Sequence, residues 1–273
     1  MDGRLRRVVV TLVGVSLVLL AVRGAVVLAT NLDWSTAAGL VRDDVRPRGG
    51  PWRLLRGTMR YVVMPMLILV AGLVALWLRR RCQWTALTFV VSFVLGNAIV
   101  QALKHGFPDM PPALNPMSGH AGVISGLGLG LLVVGEPWVQ GRIRFVVATG
   151  VAIAVGCVAT LLTGWHDVVQ VLAPMGIVLG AALVVVALRR ETMPGSVRSR
   201  AAATLVCLGG VVGVAALWLP PQVLGQRGGN ITALAAIFIL CICAAVLVSV
   251  GVLCLAQTWL AADRGVSHGG GSN

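Results

Sequence analysis

Apolar runs of about 20 residues recur along the chain, long enough for a helix to cross a bilayer, and they limit the fold more than any other feature. Inside a membrane every backbone N–H and C=O must be paired, so such runs cross as helices. With 58% hydrophobic and 11% charged residues among 273, the chain reads as an all-α integral membrane protein, and a soluble domain is excluded. About eight transmembrane spans are expected, over 8–30, 61–78, 85–103, 120–134, 145–162, 168–188, 201–219 and 231–256.

The net charge of +13 raises the question of nucleic acid, but the arginines do not form a basic domain that could track a phosphate backbone. They stand at span ends: Arg4, Arg6 and Arg7, then Arg79 to Arg81, Arg142 and Arg144, Arg189 and Arg190, Arg198 and Arg200. In an eight-span path these all fall on the side of the termini, and the positive-inside rule puts both termini in the cytoplasm. Six arginines in the 31–60 loop weaken that bias. Seven of the eight tryptophans fall near expected span ends, as an aromatic belt would place them. Richness in arginine, alanine and valine with a single lysine suggests a high-GC bacterium, and the expected location is its cytoplasmic (inner) membrane. The six cysteines lie within spans or beside a cytoplasmic arginine cluster, so no disulfide is expected. Residues 191–260 would add two spans to a six-span unit over 1–190, and the Gly- and Ser-rich 261–273 read as a flexible tail.

One polar break interrupts this pattern. Lys104 to His120 crowds proline, glycine, two histidines and the only lysine of the chain between two apolar runs. It ends in Ser118-Gly119-His120 at the start of a span in which Gly122, Gly126 and Gly130 recur every fourth residue, a stripe that lets a neighbouring backbone come close. A helix N-terminus offers unpaired N–H groups and a positive dipole end to an anion. The turn Thr163-Gly164-Trp165-His166-Asp167 falls on the same, outer side of the membrane. His120 and His166 can therefore meet at the mouths of two spans, where one imidazole could attack and the other protonate a leaving oxygen. Lys104 and the N–H groups around Ser118 and Gly119 could hold a phosphate's charge. Helix-capping residues at an interface would look the same one at a time; the set together points to a site.

These residues resemble the motifs of the type 2 phosphatidic acid phosphatase superfamily of membrane lipid phosphatases, written K-x6-R-P, P-S-G-H and S-R-x5-H-x3-D. The resemblance covers roughly 61–188, with Met117-Ser118-Gly119-His120 and the turn at His166 as its strongest parts, and Lys104 and Pro112 at the spacing of the first motif. It implies a six-helix lipid-phosphatase-like core within the bundle, with His166 as nucleophile forming a phosphohistidine and His120 as proton donor to the leaving group. Lys104, Ser118 and Gly119 would bind phosphate, with no metal and no other cofactor. The substrate would be a lipid or polyprenyl phosphate or pyrophosphate, met among membrane lipids at the extracytoplasmic leaflet.

The sequence departs from the pattern at several positions. Pro111 stands where the first motif has arginine and Met117 where the second has proline. Ala159 and Thr160 replace serine and arginine, and Gln170 replaces the aspartate that would orient the nucleophile. Gln170 could accept a bond from the ring of His166 without stabilising its cation, and Asp167 is the other candidate for orienting it. Arg53, Arg56 or Arg60 could fold over the site in place of the lost guanidiniums. A hydrolase is one reading. The alternative is a catalytically impaired relative that binds lipid phosphate or serves as a scaffold or transport-associated protein.

Overall fold

The computed structural model describes residues 3–30, 54, 57–106, 117–135, 142–163, 166–189, 204, 206–213 and 231–261. Its main elements are helices α1 (Gly3–Thr30), α2 (Met64–Arg81), α3 (Gln83–Gly106), α4 (Gly119–Gly135), α5 (Arg142–Leu162), α6 (Val168–Leu188) and α7 (Ile231–Ala261). A π-helical turn, Met59–Val63, leads into α2. Six of the helices are long and apolar enough to cross a membrane, so the chain is an all-helical membrane protein. The fourth expected span is different. α4 has 17 residues and a length of about 25 Å, less than the hydrocarbon thickness of about 30 Å. Of the seventh expected span, 204 and 206–213 are described and helical, with Gly209 packed on Ala244 and Leu247 of α7. The rest of that span, most of the 31–60 loop and the tail beyond Ala261 lie outside the described residues.

Local sequence sets the helix boundaries. Proline occupies the first turn of α2, where a missing N–H costs nothing. Cys82 is extended: its N–H closes α2 on Leu78 C=O at 2.8 Å, and its own carbonyl receives Ala86 N–H at 3.1 Å to open α3. At α6, Asp167 and Gln170 form a reciprocal capping box.

The core is built around α6. In its membrane span 78% of residues are buried, against 11% in α1 and in α2, so α6 is the central helix and the other two expose apolar side chains outward. Close packing on it relies on small residues. A methyl group placed on Gly14 would lie 2.7 Å from Gly180 O, and one on Gly96 would lie 3.0 Å from Val178 Cγ2. The glycine stripe of α4 is a packing face: Gly122 meets Asn97 and Val100, Gly126 meets Phe93 and Asn97, and Gly130 meets Phe89, all on α3.

This pairing runs α3 antiparallel to α4 and separates two ends of the bundle. At one end Arg6 donates to Trp259 O at 3.0 Å. There too Arg189 and Gln257 donate to the last carbonyls of α4, at Val133 (3.2 Å) and Leu132 (3.1 Å). Lys104, His120 and His166 gather at the other end.

Candidate active site

Gln170 organises the site with three of its groups. Its backbone N–H donates to Asp167 Oδ1 at 2.9 Å, fixing the first turn of α6. Its side-chain Oε1 accepts from Asp167 N–H at 3.4 Å and lies 3.0 Å from His166 Nδ1. Its backbone carbonyl accepts the N–H of Ser118 at 2.9 Å, tying the start of α4 to α6. Pro174, four residues on, has no N–H to claim that carbonyl within the helix, which leaves it for Ser118.

Ser118 is fully buried and caps α4. Its Oγ accepts Ala121 N–H at 3.3 Å and its carbonyl accepts Gly122 N–H at 3.1 Å. Its backbone N–H is committed to Gln170, so that group is not a phosphate donor; the hydroxyl proton still can be. Gly119, next in line, makes no hydrogen bond through its N–H among the described residues.

His120, in the first turn of α4, and His166, just before α6, do meet. His120 Nδ1 lies 3.4 Å from His166 Nε2, with ring centroids 5.5 Å apart and planes tilted by 53°. The proton positions follow from the partners. The N–H of Asp167 can only donate, so the Gln170 atom it meets is the oxygen. His166 Nδ1 then carries a proton, and its Nε2 presents a lone pair towards His120, whose Nδ1 carries the donor. Lys104 completes the cluster: its Nζ lies 4.0 Å from where a Cβ on Gly119 would stand.

The electrostatics keep His166 neutral. Burial lowers its pKa from 6.5 to about 4; the charges of His120 and Lys104 push the same way, and the bond to Gln170 opposes them. The unfolded chain takes a proton near pH 6.5 that the folded site refuses until about 4. Stability is therefore full above pH 6.5 and falls as the pH drops from there towards 4. Replacing Gln170 by glutamate, its isostere, puts a carboxylate beside Nδ1, and a charge at that distance is expected to raise the pKa of His166 by about 1–3 units. Titration of the His166 ring protons by NMR in micelles checks this.

The two orienting candidates separate cleanly. Gln170 holds the ring of His166, while the carboxylate of Asp167 caps α6. Thr160, at the arginine position of the third motif, is buried and donates to Gly156 O at 2.9 Å along its own helix, so it does not reach the site. Pro111, Pro112, Arg53 and Arg56 lie outside the described residues, and Arg60 is placed by its backbone in the π-helical turn. Among the described residues no three His, Cys, Asp or Glu side chains cluster as metal ligands would.

Sequence reasoning missed two participants. Pro174 was legible as a proline four residues after Gln170. Gln101, whose Nε2 lies 2.9 Å from a Cβ built on Gly119, was legible only as one turn before Lys104. Pro174→Ala restores an N–H that competes for the Gln170 carbonyl. The helix itself gains propensity, yet the tie to Ser118 weakens, so any activity of the histidine pair is expected to fall several-fold while thermal stability holds or rises. Activity and melting temperature measured on one preparation check this.

Set beside known proteins, the chain stands apart: no family model, no curated protein and no solved structure matches it.

Proposed function

We propose that this protein is a membrane phosphatase that hydrolyses a lipid or polyprenyl phosphate or pyrophosphate through a phosphohistidine on His166. The observation that carries the reading is the histidine pair: an Nε2 lone pair and a ring N–H face one gap, 3.4 Å apart, beside a lysine and a helix N-terminus. That spacing is long for a hydrogen bond, and a phosphoryl group entering the gap would break it at little cost.

His166 Nε2 attacks phosphorus. The bond from phosphorus to the leaving oxygen breaks, and the N–H of His120 supplies that oxygen's proton. Water then returns a proton to His120 as its oxygen attacks the phosphohistidine. The P–N bond breaks, giving inorganic phosphate and neutral His166. Lys104, the Ser118 hydroxyl and the Gly119 N–H would bear the phosphate charge. The neutral state of His166 at pH 7 supports its role as nucleophile.

Arginines at the opposite end of the bundle support an extracytoplasmic site with cytoplasmic termini. We take the fold to be the six-helix lipid-phosphatase core over 1–190 with added spans over 191–260.

The second reading, a lipid-phosphate-binding relative without turnover, is favoured by one observation. Gln170 stands where a carboxylate would stabilise the imidazolium of the phosphohistidine, and it carries no charge to do so. The test is phosphate release from a panel of lipid phosphates and polyprenyl pyrophosphates by purified protein in detergent with chelator. Release that His166→Ala abolishes is the expected result. Binding without release would favour the second reading, and neither binding nor release would remove both.

A further inference from the structure

We propose that Gln101 is an additional phosphoryl ligand, a neutral amide donor that shares the anion with Lys104 and the Gly119 N–H. This rests on the phosphate-site reading above and goes beyond it, because no motif places a residue there.

The placement comes from α3. Asn97, Gln101 and Lys104 are spaced i, i+4 and i+7, so they lie along one side of that helix. That side faces α4. A Cβ on Gly122 would lie 3.1 Å from Asn97 Oδ1, and one on Gly119 would lie 2.9 Å from Gln101 Nε2 and 4.0 Å from Lys104 Nζ. The side chain that residue 119 lacks is thus replaced by two polar head groups over the first turn of α4.

The two amides on this face differ in what they bond. Asn97, deeper in the bundle, gives its Nδ2 to Phe93 O at 2.8 Å. The side chain of Gln101 makes no hydrogen bond among the described residues and is partly exposed. Its NH₂ has two protons to give, beside an ammonium and an uncommitted backbone N–H. Three donors of this kind around one point suit an oxyanion with several acceptor oxygens, and a hydrogen bond to a charged group is stronger than one between neutral groups. An apolar ligand would leave the Gln101 amide and the Gly119 N–H unpaired.

The test compares wild type with Gln101→Met and Gln101→Glu, reading inhibition by inorganic phosphate together with KM and kcat. Methionine keeps the length and loses the donors. Its inhibition constant and KM are expected to rise about ten-fold or more, with kcat little changed, since the lost bond acts on bound substrate and transition state alike. Glutamate keeps the shape and adds a negative charge; a loss of at least a hundred-fold is expected, and this variant decides the matter if methionine disturbs the fold. If Gln101 only packs against Gly119, methionine will match wild type and glutamate will lose little, which overturns the inference while leaving the phosphatase reading intact. A wild-type protein that neither releases nor binds phosphate overturns both.

Discussion

Alanine in place of His166 is expected to lower phosphate release by about 10⁴-fold or more, the scale seen when a nucleophile is removed from a constellation that works as a unit. His120→Ala should cost less, about 10²–10⁴-fold, because it removes a proton transfer and leaves the attacking nitrogen. The two losses differ in kind as well as in size. His120 is needed where the leaving oxygen is basic, as in a lipid or polyprenyl alcohol. A p-nitrophenyl ester leaves without a proton, so His120→Ala should recover much of its rate on that substrate, whereas His166→Ala should not recover on any. The covalent adduct gives an independent readout: brief mixing with a labelled substrate should leave an acid-labile, base-stable phosphoprotein in wild type and none in His166→Ala. Equal losses on both substrates, or an adduct that survives the alanine change, would reverse or remove the assignment. Because the ring of His166 also bonds Gln170, each variant is compared by thermal unfolding before its rate is read.

Valine in place of Gly180 is expected to be strongly destabilising. A Cβ there runs into the backbone carbonyl of Gly14 and stands 2.6 Å from Val18 Cγ2 and 3.2 Å from Val18 N. A flexible side chain could swing aside; a backbone atom on a neighbouring helix cannot. α1 must move away from α6, giving up the packing along the whole seam where Gly176 also sits against Ala21. Overpacking of this kind costs on the order of 3 kcal/mol. Gly72→Ala is the matched control. Beyond its chain neighbours and the backbone of its own helix, no atom of the described residues lies within 4 Å of its Cβ position, and alanine favours a helix, so its melting temperature should hold or rise slightly. A Gly180→Val protein that melts with wild type would show that the two helices do not pack this closely.

Much of this architecture was legible in the sequence because the membrane restricts the options. Long apolar runs bounded by arginine gave the helices, and the spacing of Gly122, Gly126 and Gly130 gave a packing face, though not its partner. Counting spans put the two histidines on one side. Their approach to 3.4 Å was not readable, since it depends on a carbonyl released by Pro174 and captured by Ser118 across two helices. The choice between Asp167 and Gln170 stayed open for a similar reason. Either could face the ring until the extended backbone at Asp167, with ψ 174°, turned its carboxylate to the helix cap. Gln101 was hidden because a polar residue near a span end is ordinary until its neighbour is known, and that neighbour proves to be a glycine.

α4 is too short to span the bilayer core on its own, yet its ends are closed by Ser118 and Gln170 at one side and by Arg189 and Gln257 at the other. Several of its terminal backbone groups are thus paired within the protein rather than with water or headgroups. The helices that face lipid must tilt or bend when acyl chains lengthen or shorten, whereas the helix carrying His120 is mostly buried among its neighbours. Its distance from His166 is thereby insulated from the thickness of the host membrane, and the chemistry at this end of the bundle should vary little between short-chain and long-chain lipids.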